Sequence, residues 1–107
     1  MRFPAARLLA FVAAASAAGV AVGRAPAAGD KALGEYLSSE CVTCHQLSGR
    51  GTGIPPIVGL PDDSFIMIMS EYRQKKRDNP IMQTIAGRLS NEDIAALAAY
   101  FGSVKPR

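Results

Sequence analysis

Cys41-Val42-Thr43-Cys44-His45 is the stretch whose reading decides the fold. Two thiols two residues apart, followed at once by an imidazole, match the C-x-x-C-H signature of covalent haem attachment. The spacing has a chemical reason: two thiols must reach the two vinyl groups on one side of the macrocycle. His45, next in the chain, then falls beneath the iron and offers a ring nitrogen as proximal ligand. A redox dithiol with this spacing sits beside a βαβ pattern, and the sequence shows no convincing strand alternation. A zinc site needs a second pair of ligands, but His45 is the one His and there is no third Cys. A disulfide between Cys41 and Cys44 would close only a tiny loop. One covalent haem with its iron is therefore the expected cofactor.

Upstream of the motif, Arg2 and Arg7 flank the start of an apolar run over residues 8–22, and Ala25-Pro26-Ala27 offers an A-x-A cleavage site. This is the layout of a secretory signal; the run falls short of the roughly 18–20 residues that span a bilayer. The expected organisation is a cleaved signal over residues 1–27, export to the periplasm, and one domain over residues 28–107. The sequence holds 12 Lys and Arg against 9 Asp and Glu. Arg2, Arg7 and Arg24 precede the cleavage site, so the mature domain carries as many cations as anions. Nucleic-acid binding thereby loses its compositional support, and no membrane span is expected in the mature chain. A domain this small has a marginal apolar core, to which a buried haem would add a large apolar body.

Downstream and upstream of the motif, three helical stretches can be read, which makes the fold class all-α. The first starts after Asp30, a candidate N-cap, carries Leu33, Tyr36 and Leu37 on one face, and runs into Cys41. The second follows Pro61-Asp62-Asp63-Ser64. Its apolar stripe is Phe65, Ile68, Met69 and Tyr72, and it ends in the cations of Arg73-Gln74-Lys75-Lys76-Arg77, before Asn79-Pro80. The third starts at Ser90, with Asp93 in a capping-box place. It buries Ile94, Leu97, Ala98 and Phe101 and stops near Gly102 and Pro106. Two loops, over residues 49–60 and 79–89, are long enough to wrap a ligand.

The sole His is used at the motif, so a second axial ligand must be another residue type. Met67, Met69 and Met82 are the candidates in the mature chain, with Lys as a remote option. Met69 lies on the apolar stripe, where core packing explains it, and Met67 lies off the stripe but in the same helix. Met82 lies in the second loop, from which a thioether can reach the iron opposite His45; gap-filling is its alternative. The basic run over residues 73–77 could dock an acidic partner or could be a solvated helix end.

From residue 30 to residue 104 the chain resembles a small bacterial class I cytochrome c. The residues that carry the resemblance are the attachment motif, the loop Ile54-Pro55-Pro56-Ile57-Val58-Gly59-Leu60, the Met-bearing Asn79-Pro80-Ile81-Met82, and the final helix from Leu89 to Phe101. The Met loop and last helix are most similar to the mono-haem cytochrome subunit of flavocytochrome c sulfide dehydrogenases and related periplasmic carriers. The resemblance implies three main helices and loops wrapped around one haem c, with His45 and Met82 on the iron. It also implies that the carbonyl of Pro55, or else Pro56, accepts from the His45 ring, and that Gly34 and Tyr100 mark a close crossing of the first and last helices. The function implied is single-electron transfer with other redox proteins rather than enzyme catalysis. The chain would be a free carrier or a dedicated electron-accepting subunit of a flavoprotein oxidoreductase. A haem enzyme or gas sensor would need an open sixth position.

Overall fold

The structure, a computed structural model, describes residues 1–2, 10–19, 29–51 and 53–106. Most of the basic start and the cleavage site of the expected signal, residues 1–27, lie outside the described residues. Among the described residues there are five helices and no strand, so the all-α expectation holds. They are α1 (Lys31–Leu37), α2 (Ser39–Val42), α3 (Asp62–Arg73), α4 (Pro80–Gly87) and α5 (Asn91–Ser103).

Local chemistry starts α1, α3 and α5 where the sequence asks for it. Asp30 caps α1, its Oδ1 accepting from the backbone N–H groups of Ala32 at 3.0 Å and Leu33 at 3.2 Å. Ser90 and Asp93 form a reciprocal capping box at α5, with both bonds at 3.0 Å. Such caps satisfy N–H groups that the first turn leaves without partners. The acids Asp62 and Asp63 occupy the first turn of α3, where the helix dipole favours them.

The first helical stretch is interrupted at Ser38, which is buried and donates its hydroxyl to the Glu35 carbonyl at 2.6 Å. The chain then resumes as α2 and delivers Cys41. Tyr36 does not share the buried face with Leu33 and Leu37: it is 79% exposed. Those two residues are half-buried and Gly34 is buried, because it is Gly34 that faces α5.

α1 packs across α5, α5 against α3, and α3 against α4. At the first crossing a Cβ built on Gly34 would overlap the Ala96 carbonyl and come within 2.8 Å of the Tyr100 Cβ. Only glycine lets the two backbones approach so closely. The core is small: Ile94, Leu97 and Phe101 of α5 are its largest fully buried side chains. Phe101 stacks on Phe65 of α3 with ring centres 5.9 Å apart. Gly102 does not end α5 but lies in its last turn, where a Cβ would stand 2.9 Å from Asp62 Oδ1.

The expected loop over residues 79–89 is instead α4, so Met82 is carried by a helix and not by irregular chain. Asn79 and Pro80, read as the end of the preceding helix, are the beginning of this one. Asn79 is extended (φ −168°) and its side chain accepts from the Met82 N–H at 3.0 Å. Pro80 sits at the first helical position, where its missing N–H costs nothing. The preceding helix has already closed at Arg73, and Lys75 turns the chain away with φ 58°.

Candidate haem cleft

α2 and the motif, the Pro-rich loop, α3 and α4 enclose one apolar cleft of about 920 Å³, mouth included. Cys41, Cys44 and His45 line one part of it; Ile57, Leu60, Phe65 and Ile85 supply much of the apolar wall.

His45 is oriented by the loop opposite. Its Nδ1 lies 2.8 Å from the Pro55 carbonyl oxygen. A carbonyl can only accept, so Nδ1 carries the proton and Nε2 keeps its lone pair for a metal. An outer partner of this kind fixes both the ring and its tautomer. The acceptor is Pro55 and not Pro56. The loop that presents it is tied to α5 by the Gly59 N–H, which donates to the Phe101 carbonyl at 2.9 Å. Gly59 has φ 71°, a backbone that favours glycine.

The two thiols differ. Cys44 is exposed and Cys41 half-buried. Burial, with the nearby Glu40 carboxylate adding to it, pushes the Cys41 thiol up to about 11. Among the described residues no group of three or more His, Cys, Asp and Glu is placed to hold a metal ion.

The three methionines of the domain separate clearly. Met82 is half-buried and lines the cleft. Met69 borders the cleft too, but it is 6% exposed and belongs to the packed core with Phe65 and Phe101. Met67 is 54% exposed and not part of the cleft wall. Ile81 lines the cleft while remaining 69% exposed, whereas Leu47 stands outside it.

Two contributions escape a reading of the sequence. The Asn79 cap that fixes the Met82 backbone is one; Ile81 and Ile85, at i, i+4 around Met82, were the available sign of a helix there. Arg77 on the cleft wall is the other. Residues 73–77 do not act as a single charged face. Arg73 donates to the Leu89 carbonyl at 3.2 Å and to Asn91 Oδ1 at 2.6 Å, tying α3 to the start of α5. Arg77 pairs with Glu71 at 3.0 Å.

An apolar slot with two thiols, an oriented imidazole and a thioether fits the chemistry of a covalently held haem. The cytochrome c family profile matches residues 31–105, and the chain belongs to the cytochrome c family. It accordingly carries covalently bound haem c with its iron. Cytochrome c-554(548) of Halomonas halodenitrificans is 38% identical over 71% of this chain and 98% of its own. The thiosulfate dehydrogenase electron acceptor of Thiomonas intermedia is 31% identical over 64% of this chain, which spans only 33% of that protein. The cytochrome subunit of sulfide dehydrogenase of Chlorobaculum tepidum is 28% identical over 69% of this chain and 68% of its own. Among solved structures, thiosulfate dehydrogenase (TsdBA) of Marichromatium purpuratum superposes with a TM-score of 0.65 at 32% identity, over 75% of this chain and 20% of that one. No helix among the described residues is long and apolar enough to cross a membrane.

Proposed function

We propose that this chain is an exported, periplasmic electron-transfer protein and not an enzyme. Cys41 and Cys44 hold the haem, and His45 and Met82 ligate its iron; residues 1–27 are a cleaved signal. The observation that carries this reading is the His45 Nδ1–Pro55 bond at 2.8 Å beside a cleft that Met82 also lines. The bond leaves Nε2 as the one metal-binding atom of the only His in the chain. With both axial positions filled, the iron passes electrons and has no open position for substrate, and a Met/His pair raises its potential.

The chain acts as an electron acceptor for a sulfur-compound dehydrogenase rather than as a general shuttle. One relative is named the electron acceptor of a thiosulfate dehydrogenase, and another the cytochrome subunit of a sulfide dehydrogenase. Free diffusion among several partners is the competing reading, favoured by the match to nearly the whole of cytochrome c-554(548).

The ligands are tested with the oxidised holoprotein, which should show the weak long-wavelength absorption of a sulfur–iron pair. Met82→Ala should abolish that band and open the iron to small ligands. Retention of the band in Met82→Ala refutes the assignment. Co-purification from the native host separates a dedicated subunit from a free carrier, and N-terminal sequencing of the periplasmic protein locates the cleavage site.

A further inference from the structure

Arg77 lines a cleft whose walls are otherwise mainly carbon, and among the described residues it is the only cation that does so. Its position is fixed from several sides. Nε donates to Glu71 Oε2 at 3.0 Å, and Nη2 lies 3.0 Å from the same oxygen. The guanidinium carbon sits 5.6 Å from the centre of the Tyr72 ring. The backbone is held as well, with the Arg77 carbonyl accepting from Gln83 Nε2 at 3.0 Å. Five N–H groups belong to a guanidinium, and no hydrogen bond from Nη1 to protein is found among the described residues.

A haem carries two carboxylates, on the edge opposite its vinyl groups. Thioether bonds to Cys41 and Cys44 would anchor the vinyl edge at the motif and direct the carboxylates toward the far part of the cleft. Glu40, the only acidic residue on the cleft wall, is the neighbour of Cys41 and belongs to the thiol end. The geometry points to Arg77 as the residue that receives a haem carboxylate through the free edge of its guanidinium. This rests on the reading that haem occupies the cleft. An Arg–carboxylate pair of this kind is charge-assisted and directional. The Tyr72 face and the Glu71 carboxylate pre-set the fork, so little side-chain freedom is lost when the pair forms. The side chains of Arg77 and Glu71 are 43% and 37% exposed, so water screens both charges and keeps the expected effect modest.

The functional consequence is on the iron. A cation held at the carboxylate edge disfavours the ferric over the ferrous state and raises the potential. Arg77→Gln and Arg77→Met, made as holoproteins, should each lower the ratio of reduced to oxidised protein at a fixed ambient potential. The expected fall is about three- to tenfold, a tenfold change being 59 mV for one electron. Arg77→Lys should recover most of the shift. Lys76→Gln removes a neighbouring cation that is not on the cleft wall, and should move the ratio less than about twofold. If Arg77→Gln and Lys76→Gln shift the potential alike, or Arg77→Gln shifts it not at all, the assignment is wrong. Loss of the sulfur–iron band in both neutral variants also overturns it, because Arg77 would then be supporting α4 rather than the carboxylate. Wild-type protein lacking covalent haem would instead refute the underlying reading before any variant is compared.

Discussion

Met67, Met69 and Met82 share a thioether but not an environment, and environment decides what each can do. Met69 is 6% exposed inside the cluster of Phe65, Leu97 and Phe101. Truncating a buried Met to Ala removes its packing and leaves a cavity, at a cost of about 2–5 kcal/mol. Met69→Ala should therefore lower the unfolding free energy of the holoprotein by that amount while keeping the sulfur–iron band. Met67, 54% exposed, should change stability by less than about 0.5 kcal/mol when replaced by Ala. Chemical denaturation followed by absorbance separates the two, and a lost band in Met69→Ala would show that packing and ligation had been assigned to the wrong sulfurs. This division was legible in the sequence, because a residue at i+4 from Phe65 on a helix shares its buried face. The role of Arg77 was not legible. A cation within Arg73-Gln74-Lys75-Lys76-Arg77 reads as a solvated helix end, and only the turn at Lys75, with φ 58°, brings Arg77 to the cleft.

Among the elements, α4 depends most on a single side chain. It has eight residues, short enough for its end effects to matter, and Asn79 supplies its only side-chain cap bond. Asn79→Ala should cost about 1 kcal/mol, the usual value of an N-cap. Because the capped N–H is that of Met82 itself, the loss should also appear as easier displacement of the sulfur by an added ligand such as imidazole. Global destabilisation with unchanged ligand affinity would disprove that link. The α1–α5 crossing offers a contrast between two glycines. Gly34→Ala drives a methyl into the Ala96 carbonyl, and overpacking of this kind costs about 1–3 kcal/mol. Gly87→Ala, with nothing within 4 Å of the added carbon, should instead stabilise α4 by up to about 1 kcal/mol through helix propensity. Thermal melts of the two variants should move in opposite directions. The caps at Asp30 and Ser90 could be read directly because each acts over three residues of chain. α4 could not, because Asn-Pro serves equally as a helix stop and a helix start, and the choice depends on where α3 has already ended. The close approach at Gly29, where an added Cβ would overlap the Ala95 carbonyl, left no sign in the sequence, since it depends on which turn of α5 lies opposite.

Across the whole molecule, the helices meet one another on one side and the haem cleft on the other. α5 is buried against α1 and α3 through Ile94, Leu97 and Phe101, whose contacts are with other protein side chains. The cleft side is different: Ile57, Leu60, Phe65, Ile81 and Ile85 all border open space when the slot holds nothing. α4 is most at risk, since its main contact is with α3 and its inner face belongs to the cleft. The Pro-rich loop is tied to the protein by the burial of Val58 in the core, the Gly59–Phe101 bond at 2.9 Å and the Pro55–His45 bond at 2.8 Å, while Ile57 and Leu60 face the cleft. Iron bonds from His45 and Met82 would join α4 to the attachment motif across the slot, with the Pro-rich loop held to the motif through the Pro55–His45 bond, so losing haem unties both together. A domain of this size has little stability in reserve. Protein made without haem attachment, either by omitting the attachment machinery or as Cys41→Ala with Cys44→Ala, should accordingly be mostly disordered by circular dichroism. Residual helix should be confined to the α1–α5 pair, measurable as slowed amide exchange at Leu97 and Phe101 and at no position in α4. A native-like helical spectrum with a cooperative melt would show that the core folds alone and that the haem is added to a finished structure. A disordered spectrum that becomes native only when haem is attached makes covalent attachment a step of folding, with the sequence around Cys41 and His45 specifying both at once.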